Sequence, residues 1–345
     1  MLNFHELRIK YPIFQAGMAG GVTTSRLVAA VSNYGAVGNI GAGYMTPEGL
    51  KESIVEIKSL TANPFGVNLF LPEGINSVSQ RDIKAMRQYL NVNSDEEFTS
   101  LQKKSVNTFE KQLEVIINEK VAICSFTFGL PDSSIVKELK NAGIKVGGTA
   151  TTVNEAVQLE ENGVDFIIAQ GSEAGGHRGT FPTTEGEPLI GTLSLVPQMI
   201  ENVKTPVIAA GGIVNGKGIN AAFVLGAVGV QLGSVFLTCH ESGAHEKYKD
   251  KIIESNEENT ILTKVFSGKL ARGIRNEFID KLMDEKLEIP PYPIQNELTK
   301  PLRAKASAES NPEYMSLWVG QGVGMIHKRY SVNELLNELV SELDW

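Results

Sequence analysis

Cysteine is scarce. Only Cys124 and Cys239 occur in 345 residues, with no CxxC spacing, so neither a disulfide framework nor a cysteine-built zinc site is available. Cys124 lies in the apolar run VAICSF, the setting of a buried packing residue. Long hydrophobic runs are missing as well. None reaches the roughly 18 residues that span a bilayer. The opening MLNFHELRIKYPIFQ has no long apolar stretch after its charges, which predicts no signal peptide and a cytoplasmic protein without membrane contact. Positive charge is in deficit: the net charge of −8 argues against nucleic acid as a partner, although a local basic pocket stays open. No GxxxxGK[ST] loop occurs, which removes the usual nucleotide-triphosphatase reading. GSEAG (171–175) fails as a GxSxG elbow, because Glu173 stands where the nucleophilic serine belongs.

What the chain does have is glycine, 34 of them, clustered at 17–21, 35–43, 147–148, 171–179 and 211–212. Each cluster follows a short apolar run, as ligand-facing loops require. Eight such runs recur: 11–18, 36–43, 64–72, 121–129, 144–152, 164–173, 206–213 and 228–237. Most are followed by an amphipathic stretch, such as TSRLVAAVSNYG or SSIVKELKNAG. Alternation of this kind predicts a parallel sheet covered by crossover helices, and eight repeats close an α/β (β/α)8 TIM barrel. An open doubly wound sheet would concentrate its glycine loops at one switch point. The expected layout is a barrel over 1–239 with a helical insertion at about 73–120, and a smaller, mostly helical substrate or lid domain over 240–318. A return segment and C-terminal helix (319–345) then pack on the barrel.

Several residues at the ends of these runs can carry chemistry. AAGGI (209–213) and QLGS (231–234) end runs seven and eight, where barrels commonly bind phosphate through backbone N–H groups; Gly211, Gly212 and Gly233 either serve this or ease tight turns. Gly17 and Met18 could press backbone against a flat ring, or Met18 could be core filler. Asn68 and Gln170 are amides inside apolar runs, out of place unless paired, either with the edge of a ligand such as an isoalloxazine or with a neighbouring strand. His177, after Gly175 and Gly176, is suited to act as a general base near neutral pH. His5, His240, His245 and His327 lack such a setting, and His240 and His245 read as a solvated helix face.

QAGMAGG, PFGVNLF, GTATT (148–152), AQGSEAGGHRG, PVIAAGGI and VQLGSVFL, in this order, resemble the nitronate monooxygenases of the bacterial class, once called 2-nitropropane dioxygenases; WVGQGVG (318–324) is similar to the segment that returns the chain to the flavin. The resemblance implies FMN without a metal, and oxidation by O2 of a small anion, an alkyl nitronate such as propionate 3-nitronate. The products would be a carbonyl compound and nitrite or nitrate, and the role detoxification. It implies that Asn68, Gln170, Gly175, Gly212, Gln231, Leu232, Gly233 and Ser234 bind FMN. Gly17 and Met18 would line the flavin, and Gly211 would lend backbone near the phosphate. His177 would deprotonate neutral nitroalkanes, and hydrogen-bond or charge-pair with a nitronate. Thr127 stands where several relatives carry a pocket histidine. The protein would be a monomer or homodimer.

The nearest alternatives are an FMN-dependent enoyl-acyl-carrier-protein reductase and an NADH:quinone reductase on the same barrel. A non-catalytic flavin carrier would not need His177. An IMP-dehydrogenase-like barrel needs a reactive cysteine after its sixth strand, and no cysteine lies between Cys124 and Cys239.

Overall fold

The computed structural model describes residues 6–74, 79–92 and 99–344. His5 and parts of the expected insertion lie outside these. Eight parallel strands form the central sheet: β1 (Ile13–Gln15), β2 (Asn39–Gly41), β3 (Gly66–Phe70), β4 (Ile123–Thr127), β5 (Lys145–Ala150), β6 (Phe166–Gln170), β8 (Val207–Ala210) and β9 (Gly229–Leu232). Between β6 and β8 lies a two-residue strand, β7 (Gly176–His177), which belongs to another sheet. The order β1-β9-β8-β6-β5-β4-β3-β2 closes on itself through a parallel bridge from Phe14 to Val37. The fold is therefore the predicted (β/α)8 barrel, and each of the eight glycine-tipped runs contains one barrel strand.

Side chains alternate along each strand, and the two faces bury different things. Val67, Cys124, Ile167, Ala209, Val230 and Leu232 point outward into the layer between barrel and helices. Phe14, Ile123, Phe166, Ile168 and Ile208 point inward and plug the barrel's lower half. Each fully buried side chain of this size contributes about 1.5–3 kcal/mol. Further up the same inward rows the residues turn polar: Asn68, Ser125, Thr127, Thr149, Gln170 and Gln231. An apolar floor beneath a polar upper layer leaves a chamber at the strands' C-terminal ends.

The helices of the outer ring are α1 (Ser25–Tyr34), α2 (Pro47–Leu60), α4 (Thr99–Asn118), α5 (Ser133–Asn141), α6 (Val153–Glu161), α7 (Thr192–Asn202) and α8 (Gly216–Val224). Their ends are signalled locally. Thr24, for example, caps α1 by accepting from Leu27 N, and Gly35 ends it with φ 99°. The insertion between β3 and β4 resolves into two parts. α4 packs on α2 and β3 as the ordinary crossover helix. Among the described residues α3 (Gln80–Leu90) is the additional helix, and its Ile83 and Met86 join the core of the segment that covers the barrel.

That covering segment begins after the short α9 (Ser234–Leu237) and carries α10 (Glu246–Glu254), α11 (Glu277–Asp284) and α12 (Ile294–Ala308). It is less helical than the sequence suggests. β10 (Thr260–Thr263) and β11 (Ala271–Ile274) pair antiparallel, and β11 pairs in turn with β7, with Ala271 opposite His177. Strands of four residues with little alternation leave a weak sequence signal. α13 (Val332–Ser341) returns to pack on α1 and α8, completing the ring. Among the described residues no helix is long and apolar enough to cross a membrane.

Candidate active site

A cavity of about 500 Å³ opens above the inward polar layer, between the barrel mouth and the covering segment. Its lower wall comes from strand ends: Gly17 and Met18 after β1, Asn68, Thr127, Thr149, Gln170 and Gln231. Gly17 has no room for a side chain, since a Cβ there would lie 2.8 Å from Asn68 Cβ and 2.9 Å from Ile40 O. One side is backbone: Gly211 and Gly212 after β8, Gly233 and Ser234 after β9, and Gly320 and Gly322 of the returning chain. Gly211 and Gly212 have φ of 113° and 71°, a region side chains disfavour, so the turn depends on them. The returning chain is held by Gly320 N donating to Ser234 Oγ (3.0 Å) and Gln321 N to Glu173 O (2.9 Å).

The cavity's charge is one-sided. Among the described residues no Asp or Glu lines it, whereas Lys300 and Arg303 do, in a chain of net charge −8. The backbone N–H groups of Gly212 and Gly233 donate to no protein acceptor among the described residues, and the Gln231 amide makes no bond there either. Free N–H donors on a glycine turn, with cations and without carboxylates, form an anion receptor. This donor set fits a phosphate-tailed cofactor such as FMN, and the glycine and methionine wall fits its flat ring.

The sequence motifs place two amides here, and both are engaged. Asn68 Nδ2 donates to Ser125 Oγ (2.9 Å) and Thr127 Oγ1 (3.1 Å), locking β3 to β4. Gln170 holds the loop that carries the histidine: Nε2 donates to His177 O (3.1 Å), and Oε1 accepts from Gly179 N (2.8 Å). Buried Arg178 adds bonds to Gln170 O and Gly171 O, both 2.8 Å. His177 is thus part of a paired strand on a braced loop, which is stiffer than a bare glycine loop.

The His177 ring sits among four aromatic rings, Trp318 (5.5 Å between centroids), Phe128 (5.8 Å), Tyr292 (6.4 Å) and Phe70 (6.5 Å). Burial in this box, and then the charges of Lys269 and Arg303, push its pKa down to about 3, so the imidazole is neutral near pH 7. Its Nε2 lies 2.8 Å from Ser267 Oγ, whose hydroxyl is also 3.1 Å from Lys269 O. Nδ1 has no protein partner among the described residues. The serine hydroxyl has one proton and two acceptors, so it serves either tautomer. When it donates to Lys269 O, Nε2–H donates to it and Nδ1 carries the lone pair. When it donates to Nε2, Nδ1–H is free to donate.

Gly17, Met18, Asn68, Gln170, Gly175, His177, Gly211, Gly212, Gln231, Gly233 and Ser234 all line the one cavity. Leu232 does not: strand alternation turns its side chain outward into the helix-facing core, 1% exposed, while Gln231 and Gly233 face in. His245, expected on a solvated face, caps α10 through Nδ1 and reaches the cavity rim. Glu173 is a helix cap, its carboxylate accepting from Thr192 N and Oγ1 (both 2.9 Å) at the start of α7. Trp318 opens the WVGQGVG segment already singled out, whereas Phe128, Ser267, Tyr44 and Arg303 were not anticipated. Phe128, with φ 79° just after β4, could have been suspected from FG at its strand end; the others carry no local signal.

Fold and site together define a (β/α)8-barrel enzyme with an anion-receiving chamber at the strands' C-terminal ends. The chain belongs to the nitronate monooxygenase family, a family of flavoenzymes, whose sequence model matches residues 3–342. It is 48% identical over 332 residues to a probable nitronate monooxygenase of Bacillus subtilis (strain 168), covering 96% of this chain and 95% of that one. Against a probable nitronate monooxygenase of Staphylococcus haemolyticus (strain JCSC1435) the figures are 45% over 345 residues, 98% and 95%. Among solved structures, a nitroalkane oxidase from Streptomyces ansochromogenes superposes with a TM-score of 0.85 at 34% identity, covering 99% of this chain and 98% of that one. FabK from Thermotoga maritima superposes with 0.77 at 34% identity, covering 97% and 93%. The chain is accordingly an oxidoreductase.

Proposed function

We propose that the chain binds FMN in this cavity and uses O2 to oxidise an alkyl nitronate such as propionate 3-nitronate to a carbonyl compound and nitrite or nitrate. The observation that carries the reading is His177, a neutral imidazole in an aromatic box, facing a chamber with free backbone donors and no carboxylate among its described lining residues. FMN would supply the redox chemistry, and the protein binds, orients and excludes water. Gly211, Gly212, Gly233 and Ser234 would hold the phosphate with their N–H groups. Gly17, Met18 and Gly175 would border the ring, with Asn68, Gln170 and Gln231 beneath it.

The state of His177 bears on the substrate. A base whose conjugate acid ionises near pH 3 takes a proton from carbon poorly. The substrate therefore arrives already as the nitronate anion. It is met by Nδ1–H, with Ser267 turning its hydroxyl to Nε2, rather than by an imidazolium; a hydrogen bond replaces the expected charge pair. The test is direct. The purified protein should be yellow, release FMN on denaturation, and take up O2 with propionate 3-nitronate much faster than with neutral 3-nitropropionate. A colourless protein that takes up no FMN, or a flavoprotein that consumes no O2 with the nitronate, refutes the reading. The superposition on FabK keeps the enoyl-acyl-carrier-protein reductase alternative in view. Rapid oxidation of NADH in a stopped-flow mix would favour it.

A further inference from the structure

One cation of the cavity forms no ion pair among the described residues, the carboxylate of Glu297 acting on it only from a distance. Arg303, on α12, directs Nη2 to Asn296 O and Asn296 Oδ1, both at 2.8 Å, and Nε to Thr299 Oγ1 at 3.2 Å. Thr299 in turn donates its hydroxyl to Phe266 O, so it acts purely as an acceptor toward the guanidinium. These bonds fix the guanidinium plane on the core of the covering segment. Nη1 alone is left, and it has no acceptor among the described residues. Among the described residues no carboxylate lies within 4.0 Å of Arg303 and none lines the cavity. Lys300, the other cation of that wall, is largely exposed at the rim and paired with Glu297 at 3.5 Å. Arg303 and His177 face the same chamber from opposite parts of the structure, one from the cover and one from the loop after β6.

An ordered guanidinium with one open nitrogen, in a chamber with no acid among its described lining residues, is suited to take an anion. It is separate from the glycine turn that would take the cofactor phosphate, which lies on the barrel after β8 and β9. The open Nη1 offers two hydrogens. That suits one small planar anion; a phosphate ester, with three terminal oxygens to satisfy, would find too few donors there.

We propose that Arg303 reads a second, non-reacting anionic group of the substrate, a tail carboxylate, so that the enzyme selects nitronates with such a tail over those with an apolar one. The inference rests on the nitronate reading above and adds the residue that sets the preference. The tail carboxylate binds at Nη1 while the nitronate lies near His177.

Two measurements test it on the FMN-loaded protein. The first is kcat/KM from O2 uptake with propionate 3-nitronate and with propyl-1-nitronate, which has a methyl group in place of the carboxylate. The second is calorimetric binding of succinate, in which a carboxylate stands where the nitronate would. The wild type should favour the carboxylate-tailed substrate and bind succinate. Arg303→Gln should cut that preference, and weaken succinate, by about tenfold to a hundredfold, the size of a lost charge-assisted bond. Arg303→Lys, which keeps the charge and loses the fork, should be intermediate. Lys305→Gln, on the outer face of the same helix, should change neither value. An unchanged preference in Arg303→Gln, or a wild type indifferent to the tail, overturns the proposal. If neither nitronate is consumed, the functional reading fails, while succinate binding that depends on Arg303 still sustains the anion site. Succinate binding that ignores Arg303 overturns the proposal whatever the O2 traces show.

Discussion

His177 shows how a residue's neighbours change its chemistry. As a free side chain it would titrate near 6.5; among four rings and two cations it stays neutral down to about pH 3. The sign of the stability effect follows. Above pH 6.5 both folded and unfolded chains hold it neutral. Between 6.5 and 3 the unfolded chain takes up a proton that the folded one refuses, so stability is lost as pH falls through that window. His177→Gln should therefore lose less Tm than the wild type between pH 6.5 and 4 in parallel calorimetric scans; equal losses would mean the ring is not so buried. The same variant should lower kcat/KM with propionate 3-nitronate by about tenfold to a hundredfold, the worth of one hydrogen bond to an anion. Ser267→Ala should move kcat/KM in the same direction by about tenfold, the size of one hydrogen bond. Cys124 and Cys239 are both buried with thiol pKa raised by desolvation, so neither should react with thiol reagents in the folded protein.

At the scale of elements, the loops that build the site are held by carboxylates buried beneath them. Glu155 is fully buried and accepts from Thr151 N and Oγ1, Phe181 N (2.8 Å) and Thr184 Oγ1 (2.7 Å), tying β5 to the chain that follows His177. Replacing it with Ala strands four donors and should cost about 3–5 kcal/mol, read by urea unfolding. Glu173 caps α7 immediately behind the glycine turn after β8. Glu173→Ala should cost about 1–2 kcal/mol, less than the Glu155 variant, because solvent reaches part of that end. Gly212→Val acts differently. It forces a branched side chain into a φ of 71°, with a Cβ 3.2 Å from Glu173 Cβ. The expected result is a folded protein whose FMN affinity, measured by equilibrium dialysis, falls by at least about tenfold, the worth of one or two phosphate bonds.

The whole molecule is a barrel with a cover, and the site exists only where they meet. Trp318 and Tyr292 come from the covering part, Phe70 and Phe128 from strand ends, and His177 from β7, the one strand of the small sheet that belongs to the barrel's own loops. A cofactor seated in the cavity would touch both parts and stabilise the pair by mass action. FMN at about a hundred times its Kd should add about 2.7 kcal/mol, raising Tm by several degrees relative to protein stripped of flavin. No rise on adding FMN would separate the cavity from that cofactor.

The barrel was legible in the sequence because its signals are local and repeated: apolar runs of strand length, helical periodicity between them, and glycine wherever a strand meets the mouth. Those glycines also marked part of the cavity wall, at Gly17, Gly175, Gly176, Gly211 and Gly212, since close approach to a ligand constrains the backbone there. Leu232 turns its side chain away from the cavity, because a motif names consecutive residues while a strand sends neighbours to opposite faces. The aromatic box, Ser267 and Arg303 could not be read in advance. Each is supplied by a segment far from His177 in sequence, and only the pairing of β11 with β7 and the seating of α12 over the mouth bring them near. The charge of the cavity is likewise a tertiary property. A chain of net charge −8 encloses a chamber with no carboxylate among its described lining residues, and no count along the sequence contains that sorting.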